Sequence, residues 1–277
     1  MNNQQPFLVK GYLALRRFVP SAWMVHPILW MQKTYNKVNY GDFNFARAIN
    51  IEISAHCNRR CYYCPQSVDP TKPKFIEQKV WHKALERVSE LDWKWGLEFH
   101  NYNEPLLNKN LEQFVRDAKQ ACPKAALRIL SNGDLLTEKR VESLVDAGIC
   151  YFSITRHPPY SEEWDKKIIA LGQKYPQYIR SSTIEDWGLS NRGGLVKPKN
   201  AQDLSKGCRT SETGIPITLE GDYLFCCCDY HKTEKTGNVF NTSILEAWHN
   251  QKYLSARKSV RNGVPQLDIC KACFNKA

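Results

Sequence analysis

The sequence has no apolar run long enough to span a bilayer. Near the N-terminus the longest stretch free of Asp, Glu, Lys and Arg, Phe18 to Gln32, is broken by two prolines and holds His26, whereas a spanning helix needs about 20 apolar residues. No small-residue cleavage site follows a clean apolar run, so a secretory leader is not expected and the expected location is cytoplasmic. Disulfide staples are not expected there either. There is also no run of five or more basic residues, although the formal net charge is +11. Charge spread in this way hints at an anionic substrate, and no nucleic-acid partner is expected.

Cysteine is what the chain has in excess: eleven in 277 residues, nine of them in two groups, 57–64 and 208–273. The first group is Cys57-Asn58-Arg59-Arg60-Cys61-Tyr62-Tyr63-Cys64, a C-x3-C-x2-C spacing. A cubane 4Fe–4S cluster that only carries electrons takes four cysteines. Three thiolates hold three irons and leave the fourth free to bind a substrate or cofactor, as the open position of a catalytic zinc does. Zinc is the alternative occupant, because C-x2-C is a common zinc half-site.

Strand and helix patterns alternate after the first 45 residues. Strands are expected at Ala48–Ser54, Gly96–His100, Ala126–Leu130 and Ile149–Ile154, with weaker candidates at Tyr178–Ile184 and Gly194–Val196. Helical spacing runs through Ile76–Leu91, Leu111–Ala121, Thr137–Ala147 (closed by Gly148) and Glu162–Lys174. The expected fold is therefore α/β, with room for about six units, short of an eight-unit barrel. The first four strands run into the cysteine triplet, Asn101-Tyr102-Asn103-Glu104-Pro105, Ser131-Asn132-Gly133 and Thr155-Arg156-His157. In parallel barrels the chemistry sits on that rim. The expected domains are an N-terminal extension, 1–45, a partial barrel, 46–205, and an auxiliary domain, 206–277. The extension is expected to be helical and packed on the barrel, with an interfacial membrane contact helped by Arg16 and Arg17 as the alternative.

The triplet, with Tyr63 just before its last cysteine, resembles the signature of the radical S-adenosylmethionine (radical SAM) enzymes. That resemblance implies a partial (β/α)6 TIM-like barrel, a 4Fe–4S cluster on Cys57, Cys61 and Cys64, and SAM chelating the open iron. One electron then cleaves SAM to a 5′-deoxyadenosyl radical that takes hydrogen from the substrate. Glu104-Pro105 resembles the family's Gly-Gly-Glu-Pro motif, with Tyr102 and Asn103 where glycines are usual. Its carboxylate would meet the cationic amine of SAM, and Asn103 tolerates unusual backbone angles better than most residues. Ser131 and Asn132 match a turn near SAM, Ser153 or Thr155 would lie near the ribose, and Tyr63 would present its backbone to adenine.

In the second group, twelve residues separate Cys208 from Gly221 and four more precede Cys226, and Cys270-Lys271-Ala272-Cys273 follows. This resembles the SPASM and Twitch extensions of radical SAM enzymes and implies a second, auxiliary 4Fe–4S cluster on Cys208, Cys226, Cys270 and Cys273. Gly221 to Phe225 reads as a hairpin turn joining two thiolates. Cys227 or Cys228 could ligate instead of Cys226, or remain a free thiol near the substrate, and zinc on the same set is the structural alternative. The spacings most resemble the family members that dehydrogenate an alcohol of an amino-cyclitol. Arg192 is then the candidate for contacting or deprotonating the hydroxyl, its charge favouring an alkoxide. The alternatives are an epimerase with Cys227 or Cys228 as hydrogen donor, a peptide-modifying maturase, and a non-catalytic iron–sulfur or zinc protein. The implied partners are a small-molecule substrate and a reductase such as flavodoxin or ferredoxin as electron donor.

Overall fold

The computed structural model describes residues 21–186 and 188–274. The expectations for residues 1–20, Arg16 and Arg17 among them, lie outside it. Helix α1 (Ser21–Tyr40) leads in, and its end sits in an aromatic cluster in which Tyr40 meets Phe45 at 4.6 Å and Phe45 meets Trp248 at 4.8 Å. Among the described residues no helix is long and apolar enough to cross a membrane.

Five strands follow with helices between them. They are β1 (Ala48–Ile51), α2 (Gln78–Ser89), β2 (Gly96–Glu98), α3 (Leu111–Ala121), β3 (Ala126–Ser131), α4 (Glu138–Ala147), β4 (Tyr151–Arg156), α5 (Glu162–Lys174) and β5 (Ile179–Thr183). The helices form where apolar residues recur on one face: Val80, Trp81, Ala84, Leu85 and Val88 on α2, and Leu111, Phe114, Val115 and Ala118 on α3, all buried. Local chemistry sets the ends of α4. The Thr137 side chain accepts from Arg140 N, and Gly148 closes the helix at φ 127°. Strand β3 alternates half-buried and buried positions, whereas β1 and β2 are almost wholly buried at the centre of the sheet. Ile49, Ile51, Leu97, Leu127, Ile129, Phe152 and Ile154 fill the core, each contributing about 1.5–3 kcal/mol by burial.

Then come β6 (Ile215–Ile217), β7 (Asp222–Leu224), β8 (Lys235–Asn238), α6 (Ile244–His249), α7 (Gln251–Arg261) and α8 (Asp268–Phe274). The sheet order is β5-β4-β3-β2-β1-β6-β7-β8. Strands β1 to β6 are parallel, and β7 and β8 are antiparallel additions. This is an open, partial barrel, but its sixth parallel strand is not the one expected. Gly194–Val196 lies in a turn, because Arg192, Gly193 and Gly194 stand at φ 51°, 69° and 84°, which no strand adopts. The sixth strand is Ile215–Ile217, and it pairs with β1 instead of extending the sheet beyond β5. The hairpin turn also comes earlier than expected: Gly221 N bonds back to Thr218 O, and residues 222–224 already form β7.

Candidate active site

The loop after β1 carries the first three cysteines, and neighbouring elements hold its shape. Cys64 N bonds to Cys61 O at 2.8 Å. The buried Gln66 amide donates to Ala55 O at 3.0 Å and to Tyr102 O at 3.2 Å, joining this loop to the one after β2. Arg59 is clamped by Asp134, with Nε to Oδ2 at 2.8 Å and Nη2 to Oδ1 at 2.5 Å, and it donates to His157 O at 2.9 Å. Asn58 adds a bond to Asp134 Oδ2 at 2.8 Å. One side chain from the β3 turn thus ties two residues of the cysteine loop, and Arg59 reaches on to the end of β4. Hydrogen bonds to charged groups of this kind contribute roughly 1.5–3 kcal/mol. Asp134→Ala is therefore expected to lower iron retained per chain after anaerobic reconstitution while the fold, read by circular dichroism, persists. Wild-type iron content in that variant would show the clamp to be dispensable.

Burial pushes the Cys57 thiol up to about 11, with the Arg59 amide pulling the other way, and it raises Cys61 and Cys64 as well. Arg59 N donates to Cys57 Sγ at 3.4 Å, and Asn132 Nδ2 reaches the same sulfur at 3.9 Å. The half-buried Cys57 sulfur facing two N–H donors suits a cationic cluster, whose binding would release the thiol protons.

Glu104 is 2 % exposed and takes three donors: Leu106 N at 3.0 Å and Ser131 Oγ at 2.8 Å on Oε1, and Asn132 N at 2.9 Å on Oε2. Burial raises its pKa to about 7 against these bonds. Asn103 does not use the unusual backbone angles open to it, for among the described non-glycine residues only Asp92, Arg192 and Lys232 have positive φ. Its side chain closes the turn instead, accepting from Asn101 N at 3.0 Å and donating to Phe99 O at 3.2 Å.

A cavity of about 270 Å³ lies over these loops. Cys57, Cys61, Cys64, Tyr63, Glu104, Ser131, Asn132, Ser153, Thr155 and Arg192 all line it. Every residue singled out for SAM in the sequence therefore meets in one space. The cavity also takes in His100, the last residue of the strand expected at Gly96–His100, and Tyr102 and His157 from the polar loops named above, none of them given a role. The Tyr63 hydroxyl meets His157 Nδ1, and burial lowers the His157 pKa to about 4. His157 is thus a neutral partner for Tyr63.

The second cysteine group also converges. Cys270 and Cys273 sit one turn apart on α8 and line one small cavity with Cys208, Cys226 and Cys228. Gly207, at φ 97°, allows the approach of Cys208, since a Cβ there would stand 2.0 Å from Arg261 O. Cys227 lines neither cavity. Cys228 is buried beside Ser190 Oγ at 3.1 Å and lines the small cavity, and the sulfurs of Cys226, Cys227 and Cys228 lie within 4.8 Å of one another. Neither Cys227 nor Cys228 lines the larger cavity.

Segment 190–194 spans the two cavities. Ser190 meets Cys228, Gly193 N donates to Cys273 Sγ at 3.2 Å, and Arg192 between them lines the larger cavity with its guanidinium 5.7 Å from the Tyr102 ring. Gly193 is required there, since a Cβ would stand 2.3 Å from Ile269 Cδ1 of α8. Arg192 remains protonated, which makes it a partner for developing negative charge and not a base.

Residues 51–187 match the radical SAM superfamily, and residues 208–274 match an iron–sulfur cluster-binding domain of the SPASM type. The chain is 34% identical over 230 residues to the S-adenosyl-L-methionine-dependent 2-deoxy-scyllo-inosamine dehydrogenase of Niallia circulans, covering 82% of this chain and 92% of that protein. It is 28% identical over 115 residues to the PqqA peptide cyclase of Bradyrhizobium diazoefficiens, covering 41% of this chain and 29% of the cyclase. The crystal structure of BtrN in complex with AdoMet and 2-DOIA superposes with a TM-score of 0.75 at 32% identity, covering 84% of this chain and 94% of BtrN. Its open conformation gives 0.65 at 28% identity, covering 83% and 93%. Sequence, fold and the two cysteine cavities agree: this chain belongs to the radical SAM superfamily and carries a SPASM-type iron–sulfur cluster-binding domain.

Proposed function

We propose that this enzyme dehydrogenates a secondary alcohol of a small, polyhydroxylated amine, in the manner of an amino-cyclitol, to the ketone. The observation that carries the reading is segment 190–194, which touches the second cysteine cavity through Ser190 and Gly193 and sends Arg192 into the first. When bound, SAM and the first cluster supply the hydrogen-abstracting radical, and the auxiliary cluster supplies a one-electron acceptor.

In this reading Cys57, Cys61 and Cys64 hold the first cluster, and Cys208, Cys226, Cys270 and Cys273 the second. Cys228, which lines the same cavity as Cys226, and Cys227, whose sulfur lies within 4.8 Å of both, are the competing thiols. A carboxylate has about four acceptor sites. Three donors reach Glu104, so one site is left for the amine of SAM. Ser131, Asn132, Ser153 and Thr155 offer polar contacts to the nucleoside, and Tyr63 covers it. Arg192 holds the substrate hydroxyl and stabilises the alkoxide that forms as its proton leaves. A reductase such as flavodoxin or ferredoxin delivers the first electron.

The epimerase alternative is weaker, because the only cysteines lining the larger cavity among the described residues are the three of the triplet. The test is anaerobic turnover of 2-deoxy-scyllo-inosamine with SAM and dithionite. One ketone and one 5′-deoxyadenosine per turnover are expected. An epimer carrying solvent deuterium, or a modified peptide in place of the ketone, would overturn the reading.

A further inference from the structure

Dehydrogenating a carbinol removes one hydrogen from carbon, one proton from oxygen and one further electron. When bound, SAM would carry off the carbon-bound hydrogen as an atom, and the auxiliary cluster would accept the electron. The proton needs an acceptor on the protein. Arg192 is already protonated, Glu104 is wrapped by three donors, and His157 is engaged by the Tyr63 hydroxyl through Nδ1.

His100 is different. It follows β2, lines the 270 Å³ cavity together with Arg192, and has a buried Nδ1 with no hydrogen-bond partner. Glu98 Oε2 stands 3.9 Å from that nitrogen. Glu98 is itself fixed from both sides, by Arg128 Nη2 at 2.5 Å on Oε1 and by Asn50 Nδ2 on Oε2. Gly96 makes room for this arrangement, since a Cβ there would stand 1.6 Å from Arg128 Nη2. A shift of about 0.7 Å would bring His100 Nδ1–H within hydrogen-bond range of the carboxylate, the kind of tightening that substrate binding produces in catalytic pairs. Such a bond fixes the tautomer that leaves the Nε2 lone pair free.

Resting on the dehydrogenase reading, we propose that His100, oriented by Glu98, is the catalytic base that accepts the hydroxyl proton of the substrate. The O–H bond breaks, the proton passes to His100 Nε2, and the carbonyl forms as the last electron departs. The charged groups around the imidazole are Glu98 from β2, Arg128 from β3 and Arg192 from the 190–194 segment. Burial lowers the His100 pKa, with Glu98 pulling it up and Arg128 and Arg192 adding to the fall. The base is therefore neutral and ready at neutral pH. Turnover is lost as pH falls through that depressed value, on the acid side of ordinary histidine.

The experiment uses the full, reconstituted enzyme and 2-deoxy-scyllo-inosamine, comparing wild type with His100→Gln at equal iron content. Ketone formed per 5′-deoxyadenosine is expected to fall about 100-fold, within the usual range for a lost general base, and the acid limb of the pH profile is expected to disappear. An unchanged ratio with an unchanged limb overturns the proposal. Histidine-ring 15N spectra of the unreduced wild-type enzyme provide a readout independent of turnover and of the variant's folding. A neutral, Nδ1-protonated His100 at pH 7 is expected, and a cationic or Nε2-protonated ring overturns the assignment. If wild type forms no ketone at any pH, the dehydrogenase reading fails, and the spectra alone decide whether His100 is built as a base.

Discussion

Alanine at Cys57, Cys61 and Cys64 together is expected to remove about half of the bound iron and to abolish cleavage of SAM. Two cubane clusters correspond to about eight irons and eight sulfides per chain, so the triple variant retains about four. The three thiols lie in one loop lining one cavity, and no cysteine of the second group reaches that space, so nothing can substitute for them. The complementary variant, with alanine at Cys208, Cys270 and Cys273, keeps the other four irons and still cleaves SAM, but forms no ketone. Because burial holds Cys57 near 11 and raises its two partners, loading must release protons and weakens as pH falls. Iron and sulfide assays with the cluster's EPR signal decide the matter. Stoichiometric zinc with little iron in protein purified without air would replace the cluster reading at both sites.

The strands of the barrel were legible because each writes its burial locally. Ala126–Ser131 alternates along its length, and Ile49, Ile51 and Ile53 mark the inner face of the first strand and its extension. The cysteine triplet was legible for a similar reason, since a loop that wraps one cluster keeps its ligands within eight residues. The sixth strand was not. Ile215–Ile217 is only three residues, one of them proline, and its place beside β1 depends on a partner more than 160 residues earlier. The clamp of Arg59 by Asp134, 75 residues apart, leaves no pattern in either segment. Gln66 is equally silent, a lone amide whose bonds run to Ala55 and Tyr102. His100 was visible as a polar residue ending a strand, but its relation to Glu98 requires the pleat of β2 and the absent side chain of Gly96. The choice among Cys226, Cys227 and Cys228 is likewise not written in the sequence, because their three sulfurs lie within 4.8 Å of one another. Cys226 and Cys228 share a cavity, and Cys227 between them does not line it.

Glu104→Gln is expected to weaken SAM binding about ten- to a hundredfold at pH 8, by loss of a charge-assisted hydrogen bond worth roughly 1.5–3 kcal/mol, and to flatten its pH dependence. Burial raises the carboxyl to about 7, above the value of about 4.3 it takes in an unfolded chain. A folded-state pKa raised in this way contributes stability below the unfolded value and loses it as pH rises through 7, so ionising Glu104 costs the ligand-free enzyme. A cationic amine at the remaining acceptor site reverses that cost, because it favours the carboxylate. SAM affinity in wild type should therefore rise as pH increases from 6 to 8, with proton release on binding at the lower end. Glutamine cannot ionise, so its affinity should be low and flat. It also offers an amide where the Asn132 and Leu106 N–H groups and the Ser131 hydroxyl now find a carboxylate, so iron content must be shown equal before the affinities are compared. Equal affinity and equal slope in the two proteins, with both clusters loaded, would assign Glu104 to joining the β2 and β3 loops alone. A steep slope in wild type that the glutamine variant lacks would mean that the same carboxylate both organises the rim and recognises the amine.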